Sequence, residues 1–118
     1  KFQVHKPEDN QSVPDPEFVE GTTSDKRYSF IIKGTFNGVA FVYKSKKSMN
    51  IVINMNSSSN INLKDQNVTI VFNRAGWFKN GTTVLNPNDA GNADLIDDNI
   101  KNSFKRAFVD NNKDGQAD

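Results

Sequence analysis

From Tyr28 onward, apolar and polar positions alternate with a period of two, the pattern of half-buried β-strands. Tyr28, Phe30 and Ile32 fall on one face, and Val39, Phe41 and Tyr43 continue it beyond Asn37-Gly38. Asn-Gly between β-prone flanks predicts a two-residue hairpin turn, because both turn residues must take positive φ. Met49, Ile51, Ile53 and Met55 alternate with Asn50, Val52, Asn54 and Asn56 as the clearest strand pattern. A short strand follows at Ile61 and Leu63, and Val68, Ile70 and Phe72 then alternate with Asn67, Thr69 and Val71. Asn80-Gly81 predicts a second hairpin, joining Trp77-Phe78 to Val84-Leu85. About five to seven strands with turn signals between them predict a mainly β domain, an antiparallel β-sandwich of Ig-like or open-barrel form.

Beyond Asn86-Pro87-Asn88-Asp89 the period becomes helical. Over Asp94–Val109, Leu95, Ile96, Ile100, Phe104 and Phe108 share one stripe, which predicts one C-terminal amphipathic helix packed on the sheet. Asp94, Asp97 and Asp98 fall in its first turn and Lys101, Lys105 and Arg106 later, matching the helix macrodipole. These carboxylates therefore read as dipole-stabilising groups and not as an acid–base pair. Residues 1–25 contain Pro7, Pro14 and Pro16 and little to bury beyond Phe2, Val4, Phe18 and Val19. They read as an extended acidic arm or linker, with Phe2–Val4 able to add a strand to a sheet edge. The expected organisation is an arm over 1–25, a β-sandwich with a helix over 26–109, and a polar loop over 110–118.

Composition narrows the function classes. At 118 residues the chain predicts one domain. Mean hydropathy is −0.69, and no apolar run approaches the length that spans a bilayer. The absence of cysteine excludes disulfides, thiolate metal sites and a cysteine nucleophile. The one histidine, His5, has no partner nearby in sequence. Neither a glycine-rich phosphate loop nor a nucleophile elbow is present, so the chain is not expected to be an enzyme. About one residue in seven is asparagine, so the N-x-[ST] sequons at Asn56, Asn67 and Asn80 read as chance matches. The polar, cysteine-free composition points to an extracellular, periplasmic or cell-surface protein of bacterial type. A start at Lys1 without methionine, and a loop that breaks off at Asp118, are expected of a piece of a larger precursor.

Charge is unevenly distributed. Residues 1–25 carry six acids and two bases, residues 26–80 nine bases and one acid, and residues 81–118 seven acids and four bases. A basic sheet flanked by acidic segments has two readings. In one it binds an anionic glycan, with Trp77, Tyr43, Lys44, Lys46 and Lys47 as the ligand surface. In the other the acidic arm and tail, or an identical neighbour, neutralise it. Trp77-Phe78 also suits a β-core. Nucleic acid is not an expected partner, since no RNA- or DNA-binding motif accompanies the positive charge.

The last nine residues carry the most specific pattern. Asp110-Asn111-Asn112-Lys113-Asp114-Gly115-Gln116-Ala117-Asp118 reads D-x-N-x-D-G-x-x-D. Oxygens at positions 1, 3 and 5 can converge on a hard cation because glycine at position 6 permits a sharp turn. This segment resembles the D-x-[DN]-x-D-G loops of EF-hands, dockerins and thrombospondin type 3 repeats. The resemblance implies a structural Ca²⁺ held by Asp110, Asn112, Asp114, the Gln116 carbonyl and Asp118. It departs from the EF-hand at Ala117, where a large aliphatic is usual, and in the hydrophobic spacing of the preceding helix; position 12 lies beyond Asp118. That implies a single-loop use, with an affinity of about 10⁻⁴–10⁻³ M. The C-terminal third, "GWFKNGTTVLNP" followed by "DLIDDNIKNSFKRAFVDNNKDGQAD", is similar to uncharacterised β-rich lipoproteins of bacterial envelopes. The expected role is a non-catalytic binding or assembly module, a surface or filament subunit that associates with itself or with other envelope proteins. The alternative is a carbohydrate-binding accessory domain for an anionic glycan.

Overall fold

The computed structural model describes residues 2–54 and 66–118. The chain is mainly β, in small antiparallel sheets with one C-terminal helix. The strands are β1 (Phe2–Val4), β2 (Phe30–Phe36), β3 (Val39–Ser45), β4 (Met49–Ile51), β5 (Val68–Phe72), β6 (Lys79–Asn80), β7 (Thr83–Val84) and β8 (Phe104–Val109); the helix is α1 (Ala93–Asn102). They pair two by two, as β1 with β4, β2 with β3, β5 with β8 and β6 with β7.

The two Asn-Gly signals mark two hairpins with different turns. Between β2 and β3, Phe36 faces Val39, so Asn37 and Gly38 form the loop; both take positive φ, 50° and 78°, as a I′ turn requires. At the second hairpin Asn80 faces Thr83, which shifts the loop by one residue to Gly81-Thr82. Only Gly81 there has positive φ, at 60°, the pattern of a II′ turn with glycine first. Asn80 is thus a strand residue, and the paired strands are the polar Lys79-Asn80 and Thr83-Val84.

Helix α1 begins where its signals place it. Asp89 accepts a hydrogen bond from the Gly91 amide (2.9 Å) and starts a 3-10 turn that runs into the helix. Its end is a correction: the helix stops at Asn102, and the expected helical segment Phe104–Val109 is strand β8. Ser103 closes the helix, its amide (3.1 Å) and hydroxyl (2.6 Å) both donating to the Ile100 carbonyl. β8 then pairs with β5 from Val68↔Val109 to Phe72↔Phe104, with an irregularity at Val71/Phe72. A Val-Thr-Ile-Val-Phe partner offers backbone hydrogen bonds and β-compatible side chains that outweigh the local helical pattern.

The core gathers Tyr43, Met49, Ile51, Trp77, Leu85, Ile96 and Ile100, with Phe2, Val4, Phe30, Ile32, Phe41, Phe78 and Phe104 against it. Ile96 and Ile100, four residues apart, present α1 to the sheet residues, whereas Leu95 is exposed. The strand expected over Met49–Met55 is regular only to Ile51. Its Met55 end, the strand at Ile61 and Leu63 and the sequon at Asn56 lie outside the described residues.

The N-terminal segment lies on its own chain. Phe2, Gln3 and Val4 face Ile51, Asn50 and Met49 in the β1–β4 pair. Further along, the Tyr28 amide donates to the Phe18 carbonyl (3.1 Å) and the Glu20 amide to the Lys26 carbonyl (2.9 Å). Buried Arg27 reaches back with Nη1 to the carbonyls of Glu8 and of Gln11 (2.8 Å). A guanidinium nitrogen carries two N–H donors, so Nη1 alone can hold both ends of the Glu8–Gln11 turn, which the Gln11 amide closes onto the Glu8 carbonyl (3.0 Å).

Candidate functional site

The C-terminal loop grows directly out of the β5–β8 ribbon. The Asp110 amide donates to the Asn67 carbonyl (2.9 Å), adding one bond beyond the last strand pair. Asp110 itself is only 1% exposed. Its Oδ2 accepts from the Thr69 hydroxyl (2.7 Å) and the Gly115 amide (3.1 Å), and its Oδ1 from the Asp114 amide (3.1 Å). The Thr69 hydrogen bond and the loop amides hold its carboxyl below the usual aspartate range, against the opposing effect of burial. Asn112 Oδ1 accepts from the Asp114 amide (3.2 Å), and Asp114 Oδ1 from the Gln116 amide (2.9 Å). Asn112 Nδ2 donates to Asp114 Oδ2 (3.1 Å). Gly115, at φ 83°, makes the turn that a β-carbon would strain.

Asp118 fastens the far end of the loop. Its amide donates to the Val109 carbonyl (3.0 Å), and its Oδ2 accepts from the Asn111 amide (2.8 Å). All five residues expected to hold a cation are therefore on one loop. Their oxygens are hard donors of the class calcium takes; Asp114 and Asp118 keep lone-pair capacity on their bonded oxygens, while Asp110 Oδ2 already accepts two hydrogen bonds. Among the described residues, however, no group of three His, Cys, Asp or Glu side chains is gathered around one point. The loop is held by its own amides.

The expected ligand surface is divided by burial. Trp77 and Tyr43, expected to offer aromatic faces, are core residues only 9% and 5% exposed. The Trp77 ring stacks on Phe72 with centroids 5.5 Å apart and planes at 14°. The Tyr43 hydroxyl donates to Asp97 Oδ1 (2.7 Å), with the Ala93 carbonyl at 3.0 Å. Burial, with Asp97 beside it, pushes the Tyr43 phenol well above its ordinary range. Asp97, expected as a helix-dipole group, is thus a buried tie between α1 and β3. Nothing in the sequence alone distinguished it from Asp94 and Asp98.

The three lysines of that surface remain outside, and two have acidic partners. Lys44 pairs with Glu20 and sits 5.0 Å from the centre of the Tyr28 ring; Lys46 lies 5.8 Å from the same ring. Lys47 lies 3.3 Å from Asp94 and 3.9 Å from Asp98. Lys33 pairs with Glu17 at 2.6 Å. Glu20 holds the Lys44 ammonium above its usual range, while Lys44 and the Tyr28 hydroxyl hold Glu20 below its own. Acids of both flanks thus pair with Lys33, Lys44 and Lys47 within one molecule. Trp77 stands apart from the lysines, while Tyr43 and Lys44 line one cleft with Tyr28 and Pro87.

Sequence reasoning passed over Arg27, Thr69 and Asn99. Asn99 Nδ2 donates to the carbonyls of Trp77 (3.1 Å) and Lys79 (2.8 Å), fixing the second hairpin to α1. Each of these residues acts on a partner at least 16 positions away, beyond the reach of local spacing. No protein-family model matches the chain, and no curated protein or solved structure shows significant similarity to it.

Proposed function

We propose that this chain is a non-catalytic assembly module in which a second copy adds to the β5–β8 ribbon. One observation carries this reading. β5 leaves Val68 46%, Ile70 39%, Val71 39% and Phe72 48% exposed, so apolar side chains reach solvent on both of its faces. Among the described residues the strand pairs only with β8. An uncharged, β-branched edge is what proteins otherwise avoid or protect, because it is a template for strand addition. No charge lies between Val68 and Phe72, so antiparallel pairing of β5 with its copy brings no like charges together. In this reading the ribbons stack as an open sandwich around the core, and the module works outside the cytoplasm.

The test is sedimentation of the whole chain over a concentration series, beside Ile70→Lys and Val71→Lys. We expect reversible association of the parent chain that persists at high salt, and its loss in both variants. A parent chain that stays monomeric at millimolar concentration, or lysine variants that associate equally well, would sink the proposal.

A second reading concerns the loop, and the Thr69–Asp110 hydrogen bond favours it because it ties the loop to the same strand. Asp110, Asn112, Asp114, the Gln116 carbonyl and Asp118 would hold Ca²⁺, which would act as a structural cross-link bracing the end of the ribbon. Millimolar Ca²⁺ is expected to raise the melting temperature by the mass-action effect of a ligand that binds only the folded chain. Mg²⁺, which demands a tighter octahedral shell, should raise it less, and Asp114→Ala should abolish the calcium effect. Equal melting curves with Ca²⁺ and with chelator would reject the cation and leave the loop held by its amides alone.

A further inference from the structure

We infer that the cleft between β4 and the α1–β8 junction is a binding site for an acidic sugar residue. The inference is independent of the assembly reading. The cleft has a volume of about 260 Å³ and is lined by Asn50, Ile51, Lys101, Asn102, Phe104 and Lys105, with Val52 at its edge. Its size falls just under the range of about 300–1,000 Å³ that holds drug-sized ligands, which suits a single sugar unit.

Among the described residues it gathers two unpaired lysines in one cleft, whereas on β2, β3 and the turn after them three of the four lysines are ion-paired and only Lys46, over the Tyr28 ring, is not. Lys33, Lys44 and Lys47 are each ion-paired with a carboxylate of this chain. Lys101 and Lys105 have no acidic partner among the described residues, and no carboxylate lines the cleft. Two ammonium groups on one concave wall focus positive potential into it and call for a counter-charge from outside. The carbonyl end of α1 is close by and would oppose an anion. Ser103 moderates that by occupying the Ile100 carbonyl with both its amide and its hydroxyl.

The other lining groups define the rest of the ligand. The Asn50 and Asn102 amides both donate and accept, as a ring bearing several hydroxyls requires. Half-buried Phe104 gives the apolar contact for the C–H face of such a ring, while Ile51, 4% exposed, adds little. A bare inorganic anion would use the lysines and leave the amides and the apolar contact without a purpose. A carboxylate-bearing sugar uses all three.

The test is a titration of the isotopically labelled whole chain, followed by its amide resonances, with glucuronate, glucose and inorganic phosphate as separate probes. Glucuronate should shift Asn50, Lys101, Asn102 and Lys105 saturably at millimolar concentration. Neutral glucose should bind about tenfold more weakly or worse, the cost of one charge-assisted contact. The Lys101→Gln/Lys105→Gln double variant should lose glucuronate binding by at least about the same factor, while Lys44→Gln keeps it. The resonance dispersion of each variant reports directly that it is folded. Shifts that fall on Lys44–Lys47 instead, binding that survives the double variant, or phosphate binding as tightly as glucuronate would each overturn the assignment.

Discussion

Tyr43 shows how much one hydroxyl carries in this chain. It joins β3 to α1 through Asp97, and it does so inside the core. Tyr43→Phe keeps the ring and removes the donor, leaving a buried carboxylate short of a partner. Leaving such a group unsatisfied costs about 1–3 kcal/mol, so the variant should unfold at measurably lower denaturant concentration. The pH dependence has a definite sign. Folding raises the phenol above its ordinary value of 10.0, so this contribution is complete below pH 10 and is lost as pH rises beyond it. Denaturant titrations from pH 8 to 11 should show the gap between parent and variant narrowing on the alkaline side. A constant gap would mean that the hydroxyl is not tied to Asp97. Thr69 and Asp110 form a second such tie, between β5 and the C-terminal loop.

At the scale of elements, the sequence was legible where local chemistry decides and ambiguous where two periods coincide. Asn37-Gly38 specified its turn because positive φ at two successive residues leaves few alternatives. The change of period after Asp89 marked where α1 begins, although of the three acids expected in its first turn only Asp94 lies there. The end of α1 was not legible, because Ile100, Phe104 and Phe108 are spaced by four. That spacing places them on one face of a helix, and an even spacing places them on one face of a strand as well. The deciding factor was β5, more than thirty residues earlier in the chain. The same helical pattern also counted Leu95 as a core residue, and the fold leaves it exposed while burying Ile96 and Ile100 completely. Ile100→Ala should therefore cost about 2–5 kcal/mol, the range for emptying a tightly enclosed aliphatic site. Leu95→Ala should stay below about 1 kcal/mol, as exposed substitutions do. Equal losses in a denaturant series would mean that the helix is turned about its axis from the orientation described.

At the scale of the whole molecule, the question is what keeps the acidic N-terminal segment on the sheet. The molecule is flat, 44 × 41 × 22 Å, with a radius of gyration of 16.7 Å, against about 13.5 Å for a compact domain of this length. The charge asymmetry in the sequence suggests electrostatics, and Glu17–Lys33 and Glu20–Lys44 bear out that acids meet bases. Those pairs are solvent-exposed, where such contacts contribute little and salt screens them. The β1–β4 pairing and the buried Arg27 side chain are of another kind, because backbone pairing and a charge-assisted hydrogen bond from a 3% exposed group are little screened by salt. The two contributions can be separated by amide exchange in β1 and in residues 8–11. In 1 M NaCl, where the screening length is about 3 Å, exchange should rise by less than about threefold if exposed ion pairs carry almost none of the attachment. Arg27→Ala should raise it by about tenfold or more, the equivalent of one hydrogen bond from a charged group. Salt that releases the segment as fully as the Arg27 variant would make charge the holding force, and the acidic arm would then be free to exchange onto a neighbour as ionic strength changes.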